Sequence, residues 1–225
     1  MLEELLPPGV AVEATRGDIL DEPLFPVEEA AIARAVEKRR REFTTGRACA
    51  RRALARLGVE PGPILPGERG APGWPPGTVG SITHCDGYRA AAVARAGELA
   101  SLGVDAEPNL PLPAGLLADV ALPLERERLR QLAATRAEVH WDRLLFCMKE
   151  AVYKAWFPLA GRWLGFEDAI VELDPERGAF AARLLVPGPA LPGGTLTGFS
   201  GRWLVRDGIA LAAIAVPAAV LDGDF

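Results

Sequence analysis

Lysine is the residue this chain most conspicuously lacks. Of 25 basic residues only Lys38, Lys149 and Lys154 are lysine, and arginine carries the rest. The cysteines, Cys49, Cys85 and Cys147, are odd in number and have no paired spacing, so neither a disulfide framework nor a zinc site is indicated. No apolar run reaches the roughly eighteen residues of a membrane span, and the opening Met1-Leu2-Glu3-Glu4 is acidic, unlike a secretory signal. The expected setting is therefore cytoplasmic, with no membrane partner. A net charge of −5 excludes a broadly basic surface and with it general nucleic-acid binding.

What is present is an ordinary globular composition. The chain has 225 residues, 49% hydrophobic and 24% charged, enough for one large domain or two small ones. Val27 to Arg41 reads as a helix after Pro26, its basic end Lys38-Arg39-Arg40-Arg41 suited to a helix C-terminus. A second helix is expected over about Thr45 to Leu57, and a Pro- and Gly-rich loop from Pro61 to Pro76. Val79–His84, Tyr88–Arg95 and Leu99–Glu107 read as strands separated by Asp86-Gly87 and Ala96-Gly97-Glu98, an antiparallel meander. In the third, period two puts Leu102, Val104 and Ala106 on one face and Gly103, Asp105 and Glu107 on the other.

The proline-rich stretch Pro108 to Pro123 is the natural boundary, dividing residues 1–110 from 111–225. Beyond it come a short helix over Leu124–Leu132 and a longer one over about Ala137–Phe157, whose row Leu145, Met148, Val152 and Ala155 should face the core. Strands are expected at Ala169–Leu173, Ala179–Val186, Trp203–Arg206 and Ile209–Val216, with Asp207-Gly208 as a hairpin turn. No residue-level repeat is obvious. The fold class read from this order is α+β, each half being helices followed by an antiparallel meander.

The chemistry concentrates in Phe146-Cys147-Met148-Lys149-Glu150-Ala151-Val152-Tyr153-Lys154-Ala155-Trp156, which holds one acid and two of the three lysines. On spacing alone, Glu150 and Lys154 are a favoured helical ion pair worth roughly 0.3–0.5 kcal/mol. Alternating acids such as Asp105 and Glu107 usually face water, and an isolated His84 is usually a turn or core histidine. Taken together, three carboxylates and a lysine are the parts for holding a hard divalent cation beside a phosphate. Mg²⁺ takes a few carboxylates, keeps several waters and completes its shell from phosphate. Without a cation, three clustered acids would raise one another's pKa.

Arg47-Ala48-Cys49-Ala50-Arg51, Gly80-Ser81-Ile82-Thr83-His84-Cys85, Val104-Asp105-Ala106-Glu107 and the Lys149-to-Lys154 segment occur in an order and spacing that resembles one family. It is the 4′-phosphopantetheinyl transferases of the surfactin- and enterobactin-synthetase-activating type, especially their actinobacterial members. The resemblance covers about Val27 to Val216. The Asp-x-Glu and Lys-Glu-Ala-x-x-Lys signatures, about 40 residues apart and preceded by Thr-His, carry it together.

That resemblance implies two similar halves related by a pseudo-two-fold, with the ligand cleft between them, in a monomer. It implies a metal, Mg²⁺ or Mn²⁺, on Asp105, Glu107, Glu150 and the Ala106 carbonyl, with coenzyme A as substrate. Lys154 would contact the pyrophosphate, Thr83 and His84 the phosphates, and Arg39 and Arg47 the adenosine end with its 3′-phosphate. The loop Pro66-Gly67-Glu68-Arg69 would cover the nucleotide, Arg69 supplying the charge that relatives place at the position of Pro66. Tyr153 and Trp163 would line the pantetheine channel, whereas Trp156 and Phe157 read equally well as core. Cys147 has no expected chemical role. The implied reaction moves the phosphopantetheine arm of coenzyme A to a serine of an apo acyl, peptidyl or aryl carrier protein, with Glu150 and Lys154 catalytic and 3′,5′-ADP released. A Mg²⁺-dependent coenzyme A pyrophosphate hydrolase and a non-catalytic coenzyme A-binding module are the alternatives.

Overall fold

The computed structural model describes residues 1–191 and 194–218. Its strands are β1 (Ala11–Thr15), β2 (Thr78–Cys85), β3 (Tyr88–Arg95), β4 (Leu99–Pro108), β5 (Ala169–Asp174), β6 (Ala179–Leu184), β7 (Ala190–Leu191), β8 (Gly194–Thr195), β9 (Gly198–Arg206) and β10 (Ile209–Pro217). The helices are α1 (Pro26–Ala31), α2 (Glu37–Arg56), α3 (Leu116–Val120), α4 (Pro123–Thr135) and α5 (Trp141–Ala160). The fold is α+β with antiparallel sheets. One sheet runs in the order β1-β3-β2 and the other β4-β10-β9-β6-β5.

Hydrophobic alternation builds the layers. In β3, Ala91 and Val93 face the Ala48, Ala50, Ala53 and Leu54 stripe of α2. Its alternate residues Ala90, Ala92 and Ala94 pack instead on Leu102, Val104 and Ala106 of β4 and on Leu211 and Ala213 of β10. On the far face of the larger sheet, Leu145, Met148, Val152 and Ala155 of α5 are buried against Phe180, Phe199 and Ile214, the helical row expected of them. The period-two reading of β4 holds: Gly103 and Asp105 lie on the α5 side. A Cβ on Gly103 would come within 2.0 Å of the Ala151 carbonyl oxygen, so glycine here is what lets α5 approach the strand.

Three expectations need correction. The helix over Val27–Arg41 is two helices. The chain leaves α1 after Ala31, buried Ile32 anchors the break, and Arg40 Nη1 donates to the Ile32 carbonyl at 3.1 Å. With no Gly or Pro between Arg41 and Thr45, α2 runs continuously from Glu37, so the basic run opens a helix instead of closing one. The three-strand meander over 79–107 also fails. β2 and β3 form the hairpin, but β4 pairs with β10. Toward β2 it makes a side-chain seam, in which Val104 N–H donates to Ser81 Oγ (3.0 Å) and Ala106 N–H to Thr83 Oγ1 (2.9 Å). Last, α5 starts four residues later than expected and passes through Pro158 to a left-handed Gly161 at φ 62°. The Asp207-Gly208 turn is as expected, with φ of 50° and 75°, the double left-handed geometry of a type I′ hairpin.

A local device recurs that the sequence reading missed. In Phe25-Pro26-Val27-Glu28 the buried glutamate returns to the Phe25 N–H (2.9 Å), accepts the Ile64 N–H (2.8 Å) and pairs with Arg51 of α2 (3.1 Å). In Leu122-Pro123-Leu124-Glu125 the glutamate returns to the Leu122 N–H (2.7 Å), accepts the Val171 N–H (2.7 Å) and pairs with Lys149 of α5 (2.8 Å). Each of the long helices α2 and α5 is thus clamped through one buried, fully paired acid.

Candidate active site

A cavity of about 580 Å³ opens where α2, β2, β4 and α5 meet. Its wall brings together Arg39, Arg47, Arg69, His84, Asp105, Glu107, Glu150, Tyr153 and Lys154. Residues 39–84 and 105–154 therefore meet around one space.

Lys154 is the pivot. Its Nζ donates to Asp105 Oδ1 (2.7 Å), to the Val104 carbonyl (3.1 Å) and to the Ile82 carbonyl (3.3 Å), so one ammonium ties α5 to both β4 and β2. Burial alone would lower its pKa, but Asp105 and Glu150 outweigh that and raise it. Asp105 is 5% exposed. Its Oδ1 also accepts Thr83 Oγ1–H at 3.1 Å, while its Oδ2 is buried without a partner. Such an orphan acceptor is costly and points to a donor or cation that arrives with a ligand.

Glu107 is held by Arg143 Nη1 at 2.9 Å, and the same guanidinium donates to the Leu110 (3.1 Å) and Pro111 (2.9 Å) carbonyls. Burial and the charge of Asp105 nevertheless push the Glu107 carboxyl up to about 7. Glu150 is raised as well, by burial and then by Asp105. The acids feel one another across the cavity, yet among the described residues no three His, Cys, Asp or Glu side chains converge into a ready cation cage. The donor set still fits a hard divalent ion. It is all carboxylate oxygen, it includes the unpartnered Asp105 Oδ2, and Mg²⁺ needs only a few protein ligands when phosphate supplies others.

The basic wall is built on α2 and the loop before β2. Arg47 stacks its guanidinium 3.8 Å from the centre of Phe43 and donates Nε–H to the Ile64 carbonyl at 3.0 Å. Its second terminal nitrogen is buried without a partner, and burial lowers its pKa to about 10. Arg39 Nη1 lies 2.7 Å from His84 Nε2, and Glu42 Oε2 lies 3.5 Å from His84 Nδ1. Arg69 holds a left-handed backbone (φ 52°) and sits 5.3 Å from the centre of Trp163, which lies 4.8 Å from Tyr153.

Some expected contacts stand off the cavity. Trp163, 58% exposed, flanks a separate niche of about 30 Å³ with Tyr153 and Glu150. Gly67 forms the loop turn through its N–H to the Ala71 carbonyl (2.7 Å). Thr83 and Ala106 are buried behind the wall. Trp156 is core, its indole N–H on the Arg162 carbonyl at 2.8 Å, whereas Phe157 lines the cavity. Lys149 turns away altogether, to Glu125 and the carbonyls of Phe166 (2.7 Å) and Ala169 (3.0 Å). Cys147 is fully buried. Sequence reasoning missed Glu42 and Arg143. Their signals were spacing, Glu42 three residues after Arg39 and Arg143 seven before Glu150, each placing the side chain on the same helical face as its neighbour.

Comparison with known proteins finds relatives over nearly the whole chain. The model of the 4′-phosphopantetheinyl transferase N-terminal domain matches residues 27–94, and that of the 4′-phosphopantetheinyl transferase superfamily matches residues 101–191. 4′-phosphopantetheinyl transferase Svp of Streptomyces mobaraensis is 58% identical over 221 residues, 97% of this chain and 90% of that one. Npt of Nocardia iowensis is 52% identical over 96% of this chain and 99% of its own length. PptT of Mycobacterium tuberculosis is 47% identical over 96% and 98%. Both carry the same transferase name. With matches of this extent laid over a cavity of acids, arginines and one tethered lysine, the chain belongs to the 4′-phosphopantetheinyl transferase family and is an enzyme of that class.

Proposed function

We propose that the chain transfers the 4′-phosphopantetheine arm of coenzyme A to a serine of an apo acyl, peptidyl or aryl carrier protein with the help of Mg²⁺. The observation that carries this reading is Lys154, whose ammonium ties α5 to β2 and β4, with Asp105 on one side and Glu150 one turn behind it. Asp105, Glu107 and Glu150 are the residues that would hold the cation. The Ala106 N–H points to Thr83, and a strand residue's N–H and C=O point the same way, so its carbonyl lies on that side too. When bound, the cation would neutralise charge on the pyrophosphate.

The remaining roles belong to the chain itself. Lys154 moves from Asp105 onto the pyrophosphate and holds it. Glu150, its basicity raised by burial, takes the proton of the attacking serine hydroxyl. The serine oxygen bonds to the phosphorus that bears pantetheine, and the bond to 3′,5′-ADP breaks. Arg39, Arg47 and His84 hold the nucleotide end, with Arg69 and the turn at Gly67 over it, and Tyr153 and Trp163 guide the arm. Residues 1–110 thus supply most of the nucleotide contacts, and residues 111–225 the Lys-Glu-Ala-x-x-Lys helix.

The working unit in this reading is a monomer. Three buried free cysteines suit the reducing cytoplasm, and no described helix is long and apolar enough to cross a membrane. The test is to mix the enzyme with coenzyme A, Mg²⁺ and an apo carrier domain and to read intact masses. The carrier gains the arm, and a chelator abolishes the gain. Coenzyme A cleaved at the same rate without carrier would instead indicate the hydrolase, and neither change the binding module.

A further inference from the structure

Glu42 is an acid on the wall of a cavity otherwise suited to phosphates, and the transfer does not use it. It is nearly buried, and a carboxylate beside a bound phosphate is repulsive unless a cation stands between them. The group between is His84. Arg39 Nη1 approaches its Nε2 at 2.7 Å, and a guanidinium can only donate, so Nε2 is the acceptor. The ring hydrogen then sits on Nδ1, which faces Glu42 Oε2 at 3.5 Å. Two residues of α2, one helical turn apart, thus fix the orientation and the tautomer of the imidazole.

The charges around the ring favour its neutral form in the free chain. Burial lowers the His84 pKa, and Arg39, Lys154 and Arg89 push in the same direction from α2, α5 and β3. The Glu42 carboxylate pushes the other way. A phosphate entering between Arg39 and His84 reverses the balance. The guanidinium turns its N–H groups to the phosphate and leaves Nε2, an acceptor, facing phosphate oxygens, which are acceptors too. A bond there requires a proton.

We propose that Glu42 is a positioning residue for coenzyme A: it holds His84 with Nε2 toward the cavity and supplies the counter-charge that lets the ring gain a proton as the phosphate binds. The Arg39–His84 bond breaks, one proton passes from solvent to Nε2, and new bonds from Arg39 and from Nε2–H to the phosphate form. The proton returns to solvent when the nucleotide leaves. This rests on Arg39 and His84 being phosphate contacts.

The test is calorimetric titration of the full chain with coenzyme A in two buffers of different ionisation enthalpy near pH 7.5, where a phosphate monoester is already mostly dianionic. The parent takes up a proton on binding. Glu42→Gln keeps a side chain of the same size beside Nδ1 but carries no charge, so it loses the uptake. Its KM for coenzyme A rises about tenfold, the difference between a charge-assisted and a neutral hydrogen bond, and the loss falls on KM rather than kcat. Glu42→Asp restores part of the uptake, and in a His84→Gln background Glu42→Gln adds little further loss. No proton uptake by the parent overturns the proposal whatever the variants do. So does an equal KM penalty for Glu42→Gln with and without His84. If neither Arg39→Gln nor His84→Gln weakens coenzyme A binding, it is the underlying phosphate assignment that fails.

Discussion

Replacing Lys154 by methionine separates what this residue does for the fold from what it does for transfer. Its ammonium has three acceptors, on β2, β4 and Asp105. Without it, Asp105 is a buried carboxylate left with one hydroxyl donor, Thr83. Breaking a buried pair on one side typically costs about 3–5 kcal/mol, because the remaining charge stays desolvated. For a chain of this size that is a fall in Tm of about 6–20 °C. Adding Asp105→Asn removes the stranded charge and should recover most of the lost stability. Transfer should behave differently. Each single variant should lose on the order of 10²–10³ in single-turnover rate, and the double variant should stay slow. Thermal unfolding and carrier mass spectrometry on the same three preparations give both numbers. A Lys154→Met protein that unfolds at the parental temperature, or a double variant that regains the parental rate, would refute this account of Lys154.

The remaining predictions concern the frame around the site. Gly103→Ala drives a methyl into the Ala151 carbonyl, so overpacking of at least about 1–3 kcal/mol should lower Tm, and α5 shifted off β4 should slow transfer; equal Tm and rate would show that the contact is slack. Lys149→Met should lower Tm by breaking its buried pair with Glu125, yet leave the rate per folded molecule near parental at permissive temperature. Glu107 gives a pH signature. Its carboxyl is raised by burial and Asp105 to about 7, so its contribution to stability is present below the ordinary carboxylate range and is lost as pH rises to about 7. In chelator, Tm should therefore fall over that interval, and Glu107→Gln should flatten the fall; an unchanged slope counts against the assignment.

Much of this site could be read from residue order, and the parts that could not have physical reasons. Period two placed Asp105 and Glu107 on one face because one side of β4 is apolar core, and the apolar row of α5 marked its buried side for the same reason. Asp207-Gly208 announced its turn through the left-handed geometry that few residues adopt. The neighbour of β4 was hidden. Its pattern says strand but not partner, and on the β2 side Ser81 and Thr83 hydroxyls stand in for a backbone ladder. Lys149 and Lys154 looked alike in sequence, but five residues are about 140° around a helix, so one enters a buried clamp and the other the cavity. Glu42 and Arg143 looked like solvated charges on helices. Only tertiary placement shows that each faces another site residue.

The carboxylates facing this cavity, and not the thiol one helical turn away, should bring about the transfer. Single-turnover phosphopantetheinylation of an apo carrier by Glu150→Gln and by Cys147→Ser, each at saturating coenzyme A and Mg²⁺, tests it directly. Glu150→Gln should lose on the order of 10²–10³ in rate while Cys147→Ser, which keeps a small buried donor toward the Ala210 carbonyl, keeps close to the parental rate. Parental rates from both variants, or the larger loss from Cys147→Ser, would contradict it.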